Sequence, residues 1–371
     1  MQMNFCVPCL LGLEGLIADE LREMNAENVR AENGRVLFSG DEYTLARANI
    51  RSRYAERILV MLGSFEAHSF EELFQGTKSL PWEKWVGKAD QFPVKGYSLN
   101  SDLFSVSDCQ AIIKKAVVER LKTVYHLPWF EESGSMYQIQ FSIMKNEVSL
   151  FIDTSGRGLH KRGYRPAANA APLKETLAAA LCSLAHLRHY HTLYDPMCGS
   201  GTIIIEGALM ALNIAPGINR RFTAEMWSQC PPAVWKKERA DAKALERHDI
   251  EFHAYGSDID PEALKIAEEN ARRAGVEKYV TFKKADVKDF EPVTEKATVI
   301  CNPPYGERLL DAEAAHKIYK TLGERFVRMH GRSYEIITAD EDFEKLFGRK
   351  ADKRRKLYNG MIKCQVYMYF K

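Results

Sequence analysis

The first 65 residues alternate short apolar runs with longer amphipathic stretches. Apolar residues at every second position predict a strand, and apolar residues three and four apart predict a helix. The predicted elements, in the order strand, helix, strand, strand, helix and one further segment, are 4–9, 13–24, 29–32, 35–39, 41–49 and 56–63. This order predicts a small α/β sandwich of the ferredoxin-like type over residues 1–65.

Residues 66–154 carry a second set of elements. A helix is predicted over 108–121, and strands are predicted over 92–99, 136–144 and 147–153. The last two strands are separated by Lys145-Asn146, which is typical of a hairpin turn. We therefore expect a second α/β unit here, followed by a linker over 155–171 that is rich in Gly, Arg and Ala.

From residue 172 to residue 371 helices alternate with apolar strands. Helices are predicted over 173–186, 202–212 and 262–274, and short apolar runs precede or separate them. This alternation predicts βα units and a parallel sheet. Near the C-terminus, alternating residues on both sides of Asn359-Gly360 predict an antiparallel hairpin that closes the sheet.

A glycine loop ends the first strand of this region, at Asp195-Pro196-Met197-Cys198-Gly199-Ser200-Gly201. The glycines can adopt positive φ and allow a ligand to approach the backbone closely. The helix that begins at Thr202 turns its free N–H groups toward that ligand. By itself such a loop is a weak signal, because an ordinary tight turn has the same composition.

Acidic residues end the next two strands. Asp258 follows the second strand, where a carboxylate can accept both hydroxyls of a ribose. Asp286 follows the third strand, where a carboxylate can accept from an adenine amino group. The alternative for Asp258 is a helix N-cap before Pro261, although Asp260 is better placed for that role.

The distance between the glycines and Asp258 argues against a dinucleotide fingerprint, which places its acid about 20 residues after the glycines. Residues 213–252 intervene here, and they carry several Trp, Lys and Arg residues. We expect this insertion to form either a lid over the core or a surface that touches substrate.

A second motif, Asn302-Pro303-Pro304-Tyr305, ends the apolar strand 297–301. The prolines stop the strand and hold the carbonyl directions rigidly. The Asn302 side-chain oxygen and the Pro303 carbonyl can accept both N–H bonds of an aromatic amine, which pulls its nitrogen toward tetrahedral geometry. Tyr305 can stack on the ring, so the slot suits a base removed from its stack. A simple strand-ending turn is the alternative.

Together these motifs resemble the class I S-adenosylmethionine-dependent amino-methyltransferases. The segments 153–165 and 171–177 narrow the resemblance to the THUMP-domain RNA methyltransferases, and within them to the N-terminal half of the bacterial large-subunit ribosomal RNA guanine-N2 methyltransferases. The longer bacterial relatives carry a second methyltransferase module that these 371 residues lack.

The resemblance implies a Rossmann-like, mostly parallel seven-stranded methyltransferase domain over 172–371 and a THUMP RNA-binding domain over 66–154. It implies S-adenosyl-L-methionine as cofactor and Asn302, Pro303, Pro304 and Tyr305 as catalytic residues. The implied cofactor-binding residues are Pro172, Leu173, Lys174, Thr176, Asp195, Pro196, Met197, Cys198, Gly199, Ser200, Gly201, Thr202, Asp258, Ile259, Asp286 and Val287.

The expected reaction is methyl transfer to the N2 of a guanine in 23S ribosomal RNA. The slot reads only an exocyclic amine, so adenine N6 and the N2 of a transfer-RNA guanine stay open as targets. A different class of function, a non-catalytic RNA-binding ribosome assembly factor, also stays open.

The net charge of +2 requires that any RNA contact comes from local basic patches. One patch is 348–356, and a second lies in the linker. The candidate RNA-binding residues are Lys95, Lys114, Lys115, Lys161, Arg162 and Arg165. A solvated side chain is the alternative for each, and as residues alone Lys95, Lys114 and Lys115 fit that alternative better.

The eight cysteines include one close pair, Cys6 and Cys9. Without a second pair or a histidine cluster this is not a zinc site, so no metal is expected. The sequence has no signal peptide and no apolar span of about 20 residues, so we expect no membrane partner and a cytoplasmic, reducing location.

Overall fold

The structure is a computed structural model that describes residues 2–165, 173–305 and 312–370. Each half of the chain folds around a seven-stranded sheet. The elements of the first half are β1 (Met3–Pro8), α1 (Glu14–Glu23), β2 (Glu27–Glu32), β3 (Arg35–Gly40), α2 (Glu42–Arg51), β4 (Leu59–Glu66), α3 (Phe70–Ser79), β5 (Val94–Leu99), α4 (Val106–Tyr125), β6 (Ile139–Met144) and β7 (Glu147–Asp153).

The two predicted N-terminal units share one sheet, with the strand order β2-β3-β1-β4-β7-β6-β5. Strand β4 joins them because both of its edges are paired. On one edge Val60 lies opposite Phe5 of β1, and on the other it lies opposite Ile152 of β7. Val60 is buried, so the hydrophobic core runs without a break through both units.

The elements of the second half are α5 (Glu175–Leu184), β8 (Thr192–Asp195), α6 (Thr202–Ala211), α7 (Pro232–Ala244), β9 (Ala254–Asp258), α8 (Pro261–Ala274), β10 (Val280–Lys284), β11 (Ala297–Cys301), α9 (Ala312–Arg325), β12 (Arg332–Thr338), α10 (Phe343–Phe347), β13 (Lys353–Asn359) and β14 (Ile362–Tyr369). Their sheet order is β10-β9-β8-β11-β12-β14-β13. The first five strands are parallel, and β13 and β14 form the predicted antiparallel hairpin.

The strand order of the second sheet has a switch point between β8 and β11. Strands β9 and β10 lie on one side of β8, whereas β11 and β12 lie on the other. A crevice opens at the carboxyl ends of the strands at such a switch point, and α/β proteins bind ligands there. Since β8 ends in the glycine loop and β11 ends at Asn302, the two motifs lie side by side at this crevice.

The insertion 213–252, predicted to be either a lid or a substrate-contacting surface, packs against the N-terminal half of the chain. Its helix α7 packs on α2, where Arg47 pairs with the fully buried Glu238 at 2.8 Å. Trp227 stacks on Tyr137 of the N-terminal half with ring centroids 4.6 Å apart. The Trp227 indole also donates to the Met136 carbonyl at 2.9 Å. These aromatic contacts are buried, so the insertion holds the two halves together.

Candidate active site

The glycine loop has the conformation that its composition predicts. Gly199 has a φ of +50° and Gly201 has a φ of +79°, both in the left-handed region. A Cβ atom on Gly201 would lie 2.9 Å from the Phe282 ring and 3.0 Å from Ala267, so only glycine fits against β10 and α8. A Cβ atom on Gly199 would meet nothing within 4 Å. The loop therefore packs tightly on one side and faces open space at Gly199.

Asp258 ties the end of β9 to this loop. One of its carboxylate oxygens accepts the Gly199 N–H at 2.9 Å, and the other accepts the Asp260 N–H at 3.0 Å. Each oxygen retains a lone pair for a further donor. The cap of α8 is Asp260, which accepts the Glu262 N–H at 2.9 Å. The N-cap alternative for Asp258 is thereby excluded.

Asp195 lies at the end of β8 and is buried. Burial raises the pKa of its carboxyl to about 8, the Met197 N–H that it accepts opposes this rise, and the nearby Asp258 carboxylate adds to it. At neutral pH the protonated carboxyl is therefore the major form. A bound cation close to Asp195 would favour the carboxylate instead.

Asn302 follows β11 and has a buried side-chain oxygen without a hydrogen-bond partner among the described residues. Most buried polar atoms in proteins are paired, and leaving one unpaired costs about 1–3 kcal/mol. An acceptor kept in this state is typical of a site that a ligand completes. Neighbouring Pro303 is buried, and the Pro304 carbonyl accepts from the Tyr319 hydroxyl at 3.4 Å.

Tyr305 is anchored by its hydroxyl to the C-terminal hairpin. The Asn359 side-chain amide donates to the hydroxyl oxygen at 3.0 Å, and the Cys364 thiol lies 3.7 Å from it. Burial raises the pKa of Tyr305 well above its ordinary value. The sequence did not indicate Asn359 as part of the site, because the hairpin turn gave no sign of which loop it would meet.

The remaining acid and two apolar candidates line the carboxyl ends of β9 and β10. Asp286 accepts the Lys288 N–H at 3.0 Å, and its carboxylate also lies 3.3 Å from the Lys288 ammonium. Ile259 is exposed beside Asp258, whereas Val287 is buried. This edge can receive a flat group between an acid and an exposed aliphatic side chain.

Two predicted cofactor-binding residues have side chains that contact the N-terminal half of the chain. Lys174 and Thr176 both bind the Glu56 carboxylate of the N-terminal half, at 3.1 Å and 2.8 Å. Burial alone would raise the pKa of Glu56, but hydrogen bonds from His160 and Thr176 and the Lys174 charge lower it to about 2. The side chains of Lys174 and Thr176 thus contact the N-terminal half of the chain, and their role in cofactor binding stays a prediction. Leu173 is buried, and Pro172 lies outside the described residues.

Three of the six predicted RNA-binding residues have side chains that form ion pairs within the protein. Arg162 is buried in an ion pair with Glu206 at 3.4 Å, and Arg165 pairs with Glu175 at 3.0 Å. Lys114 binds Glu132 at 2.6 Å and donates to the Phe92 carbonyl. The exposed candidates are Lys95, Lys115 and Lys161. In the patch 348–356, Arg354 pairs with Glu344, and Arg355 donates to the Gly12 carbonyl.

Within the described ranges no cluster of His, Cys, Asp and Glu is arranged to hold a metal ion. All eight cysteines are free thiols, including Cys6 and Cys9. No helix in the part of the chain that the structure describes is both long and apolar enough to cross a membrane.

The sheet order, the glycine loop at the switch point and the acids after the next two strands define a class I S-adenosylmethionine-dependent methyltransferase. The chain belongs to the RMKL-like methyltransferase family, whose domain model matches residues 162–368. The RlmL ferredoxin-like domain matches residues 4–59, and the THUMP domain matches residues 67–153. The predicted resemblance to THUMP-domain RNA methyltransferases, the predicted fold class and the predicted cofactor are confirmed.

Similar proteins support this membership along the whole chain. The Bacillus subtilis protein named "Putative RNA methyltransferase YpsC" is 43% identical over 97% of this chain and 94% of its own length. The "Ribosomal RNA large subunit methyltransferase K/L" of Psychromonas ingrahamii is 33% identical over 99% of this chain. This chain spans only 50% of that relative's length.

A solved structure shows the same architecture with a cofactor product bound. The crystal structure of SMU.472 complexed with SAH is 40% identical and superposes with a TM-score of 0.95, over 100% of this chain and 98% of the other. SAH is the demethylated product of S-adenosylmethionine, which fits the open glycine loop and the spare lone pairs of Asp258 described above.

Proposed function

We propose that this protein transfers a methyl group from S-adenosylmethionine to the N2 of a guanine in 23S ribosomal RNA. The observation that carries the proposal is the buried Asn302 oxygen beside the glycine loop, which has no hydrogen-bond partner among the described residues. Such an oxygen needs a donor, and an exocyclic amine supplies one. The name of the K/L relatives favours ribosomal RNA as the polymer.

The donor side of the site uses residues of β8, β9 and β10. Asp258 would accept the ribose hydroxyls, Asp286 would accept from the adenine amino group, and Gly199 would leave room for the ligand. The bound cofactor supplies a methyl group activated by its attachment to a positively charged sulfur. The protein contributes mainly the alignment of the two reacting groups, which can lower a barrier by several kcal/mol (about 7–11 in well-oriented model reactions).

The acceptor side uses the slot after β11. The Asn302 oxygen and the Pro303 carbonyl would each accept a hydrogen bond from one N–H of the amine. The nitrogen lone pair would then point at the incoming methyl group. The neighbouring Pro304 carbonyl accepts a hydrogen bond from the Tyr319 hydroxyl. Tyr305, anchored by Asn359, would stack on the extruded base. After transfer the surplus proton leaves to water or to a backbone carbonyl.

Adenine N6 is the second candidate, because two acceptors and a stacking ring recognise any exocyclic amine. The purified chain should be incubated with methyl-labelled S-adenosylmethionine and, separately, with ribosomal RNA, transfer RNA and DNA. The proposal requires label in ribosomal RNA. Label in transfer RNA or DNA alone would replace the substrate, and label in none of the three would favour a non-catalytic RNA-binding factor.

Asp258→Ala is expected to weaken binding of S-adenosylmethionine by about ten- to a hundredfold. The reason is the loss of hydrogen bonds to a charged acceptor, worth about 1.5–3 kcal/mol. Calorimetry on the RNA-free protein measures this effect. Asp289→Ala is a suitable control, because Asp289 is an exposed acid near the same sheet edge. Equal affinities for the two variants would remove Asp258 from the cofactor site.

Binding of S-adenosylmethionine is expected to release a proton from Asp195 at pH 7. The pKa of this carboxyl is about 8 because of burial, so it is mainly protonated before binding. The cationic ligand would lower that pKa, and cofactor affinity should therefore rise as the pH increases from 6 toward 8. Calorimetry in buffers of different ionisation enthalpy counts the released protons.

Asp195→Asn is the matched control for this measurement, since it keeps the shape of the side chain without the titration. In this variant the binding enthalpy should depend less on the ionisation enthalpy of the buffer, because residue 195 no longer releases a proton. Identical proton release by the variant and the wild type would contradict the assignment.

A further inference from the structure

The insertion 213–252 carries a cleft of about 900 Å³ that the proposed reaction does not use. One wall is formed by Phe222 and Trp235, whose rings stack with centroids 5.3 Å apart. Around these rings lie four cationic side chains, from Arg220, Arg221, Lys236 and Arg239. The cleft thus combines an aromatic wall with a concentration of positive charge.

The positive charge of this cleft is only partly compensated. Glu225 is the lining carboxylate, and it already accepts from Arg221 at 3.0 Å, from Arg239 at 2.8 Å and from the Phe222 N–H at 3.0 Å. Lys236 is exposed and has no carboxylate partner among the described residues. Four cations against one carboxylate leave a surplus of three positive charges.

Arg220 is the buried cation among the four. It is almost fully buried, and in the described part of the chain it donates only to the carbonyls of Arg157 and Gly158. Burial, together with the neighbouring Arg162 and Arg157 charges, lowers the pKa of Arg220 to about 10. A guanidinium in such surroundings is stabilised when an anion enters the cleft.

The buried Trp235 side chain supplies an independent indication of a ligand. Trp235 is 2% exposed, and its indole N–H has no hydrogen-bond partner within the described ranges. Indole nitrogen can only donate, as can guanidinium and ammonium groups. The free polar groups of the cleft are therefore donors, and a phosphate, which presents only acceptor oxygens and carries negative charge, is their chemical complement.

The cleft opens beside the THUMP domain. Met226, which lines it, accepts from the Ser135 hydroxyl at 3.1 Å through its carbonyl, and the next residue, Trp227, stacks on Tyr137. We propose that this cleft binds a backbone phosphate of the RNA substrate and so extends the THUMP surface onto the catalytic domain. The inference rests on the proposed function in that RNA is the substrate.

The test measures binding of a 23S ribosomal RNA transcript to the full chain over a range of salt concentrations. The variant Arg221→Gln/Lys236→Gln removes two exposed cations of the cleft. Its control is Arg22→Gln/Lys237→Gln, which removes one arginine and one lysine that are exposed and ion-paired elsewhere. The cleft variant should lower the slope of log Kd against log salt by about 0.7–0.9 for each phosphate that the protein no longer neutralises. The control should keep the wild-type slope.

Trp235→Phe adds a readout that does not depend on charge, because it keeps an aromatic ring in the wall and removes the free N–H. We expect weaker RNA binding with unchanged affinity for S-adenosylmethionine, which also shows that the variant is folded. Unchanged RNA affinity in Trp235→Phe, or equal salt slopes for the two double variants, would overturn the cleft proposal.

Two further outcomes separate the cleft from the proposed function. If the wild type methylates ribosomal RNA while the two double variants have equal slopes, the proposed function stands and the cleft proposal fails. If the slopes differ but no methyl group is transferred, the cleft is supported and the proposed function fails.

Inorganic phosphate tests whether the cleft binds small phosphates instead. If phosphate raises the unfolding temperature of the wild type but not of the cleft variant, and the RNA slopes are equal, the cleft binds small phosphates and its role in RNA binding is overturned.

Discussion

Asn302→Ala is expected to slow methyl transfer by about 10²–10³-fold, the usual cost of removing one preorganised hydrogen-bond partner of a transition state. The Asn302 oxygen would accept from the target amine, chiefly as the nitrogen becomes tetrahedral. Affinity for S-adenosylmethionine should stay near the wild-type value, because the proposed cofactor residues lie at the ends of β8, β9 and β10. Single-turnover rates and calorimetry measure the two quantities separately.

The same variant should be as stable as the wild type or more stable. The Asn302 oxygen is buried without a partner among the described residues, and its removal relieves a cost of about 1–3 kcal/mol. A residue whose loss raises stability while it lowers activity has been retained for function. Normal turnover by Asn302→Ala would show that the slot is wrongly assigned. If the variant lost activity and cofactor affinity together, Asn302 would belong to the cofactor site instead.

Arg162→Ala is expected to lower the free energy of unfolding by about 3–5 kcal/mol, because it leaves a buried carboxylate without its counter-charge. That carboxylate belongs to Glu206, which is fully buried and also accepts from the Tyr164 hydroxyl at 3.0 Å. Arg162 further donates to the Leu159 carbonyl at 2.8 Å. Urea denaturation followed by circular dichroism measures the change.

Lys161→Ala is the matched control, because Lys161 precedes Arg162 in the chain and is exposed. Its stability should change by less than about 0.5 kcal/mol. The pair Arg162→Met/Glu206→Leu should recover much of the stability that Arg162→Ala loses, since both charges are then absent. If Arg162→Ala were as stable as Lys161→Ala and bound RNA more weakly, Arg162 would be an RNA-binding residue after all.

Local sequence patterns were sufficient to predict individual elements of the methyltransferase domain, whereas its seven-stranded fold came from the family resemblance. The strand, glycine loop and helix around Gly199–Gly201, the capped helix after Asp260 and the hairpin at Asn359-Gly360 each depend on residues close together in the chain. Their conformations follow from glycine φ preferences, capping and alternation. The positions of Asp258 and Asn302 at strand ends follow from the same signals.

Local sequence patterns could not predict contacts between residues that are far apart in the chain. Strand β4 joins the two N-terminal units because its second edge meets β7, and nothing in residues 59–66 indicates that partner. Arg162 and Arg165 resemble a basic surface patch in the sequence, but their partners Glu206 and Glu175 turn them into the interior. Glu56 is 118 residues from Lys174, so the contact between these two side chains had no local signal.

The central claim is methyl transfer to the N2 of a guanine in 23S ribosomal RNA. Its most direct test is mass spectrometry of nucleosides from 23S ribosomal RNA that has been incubated with the purified chain and methyl-labelled S-adenosylmethionine. We expect labelled N2-methylguanosine with the wild type and almost none with Asn302→Ala. Labelled N6-methyladenosine would contradict the choice of base, and the absence of label from every nucleoside would contradict the claim itself.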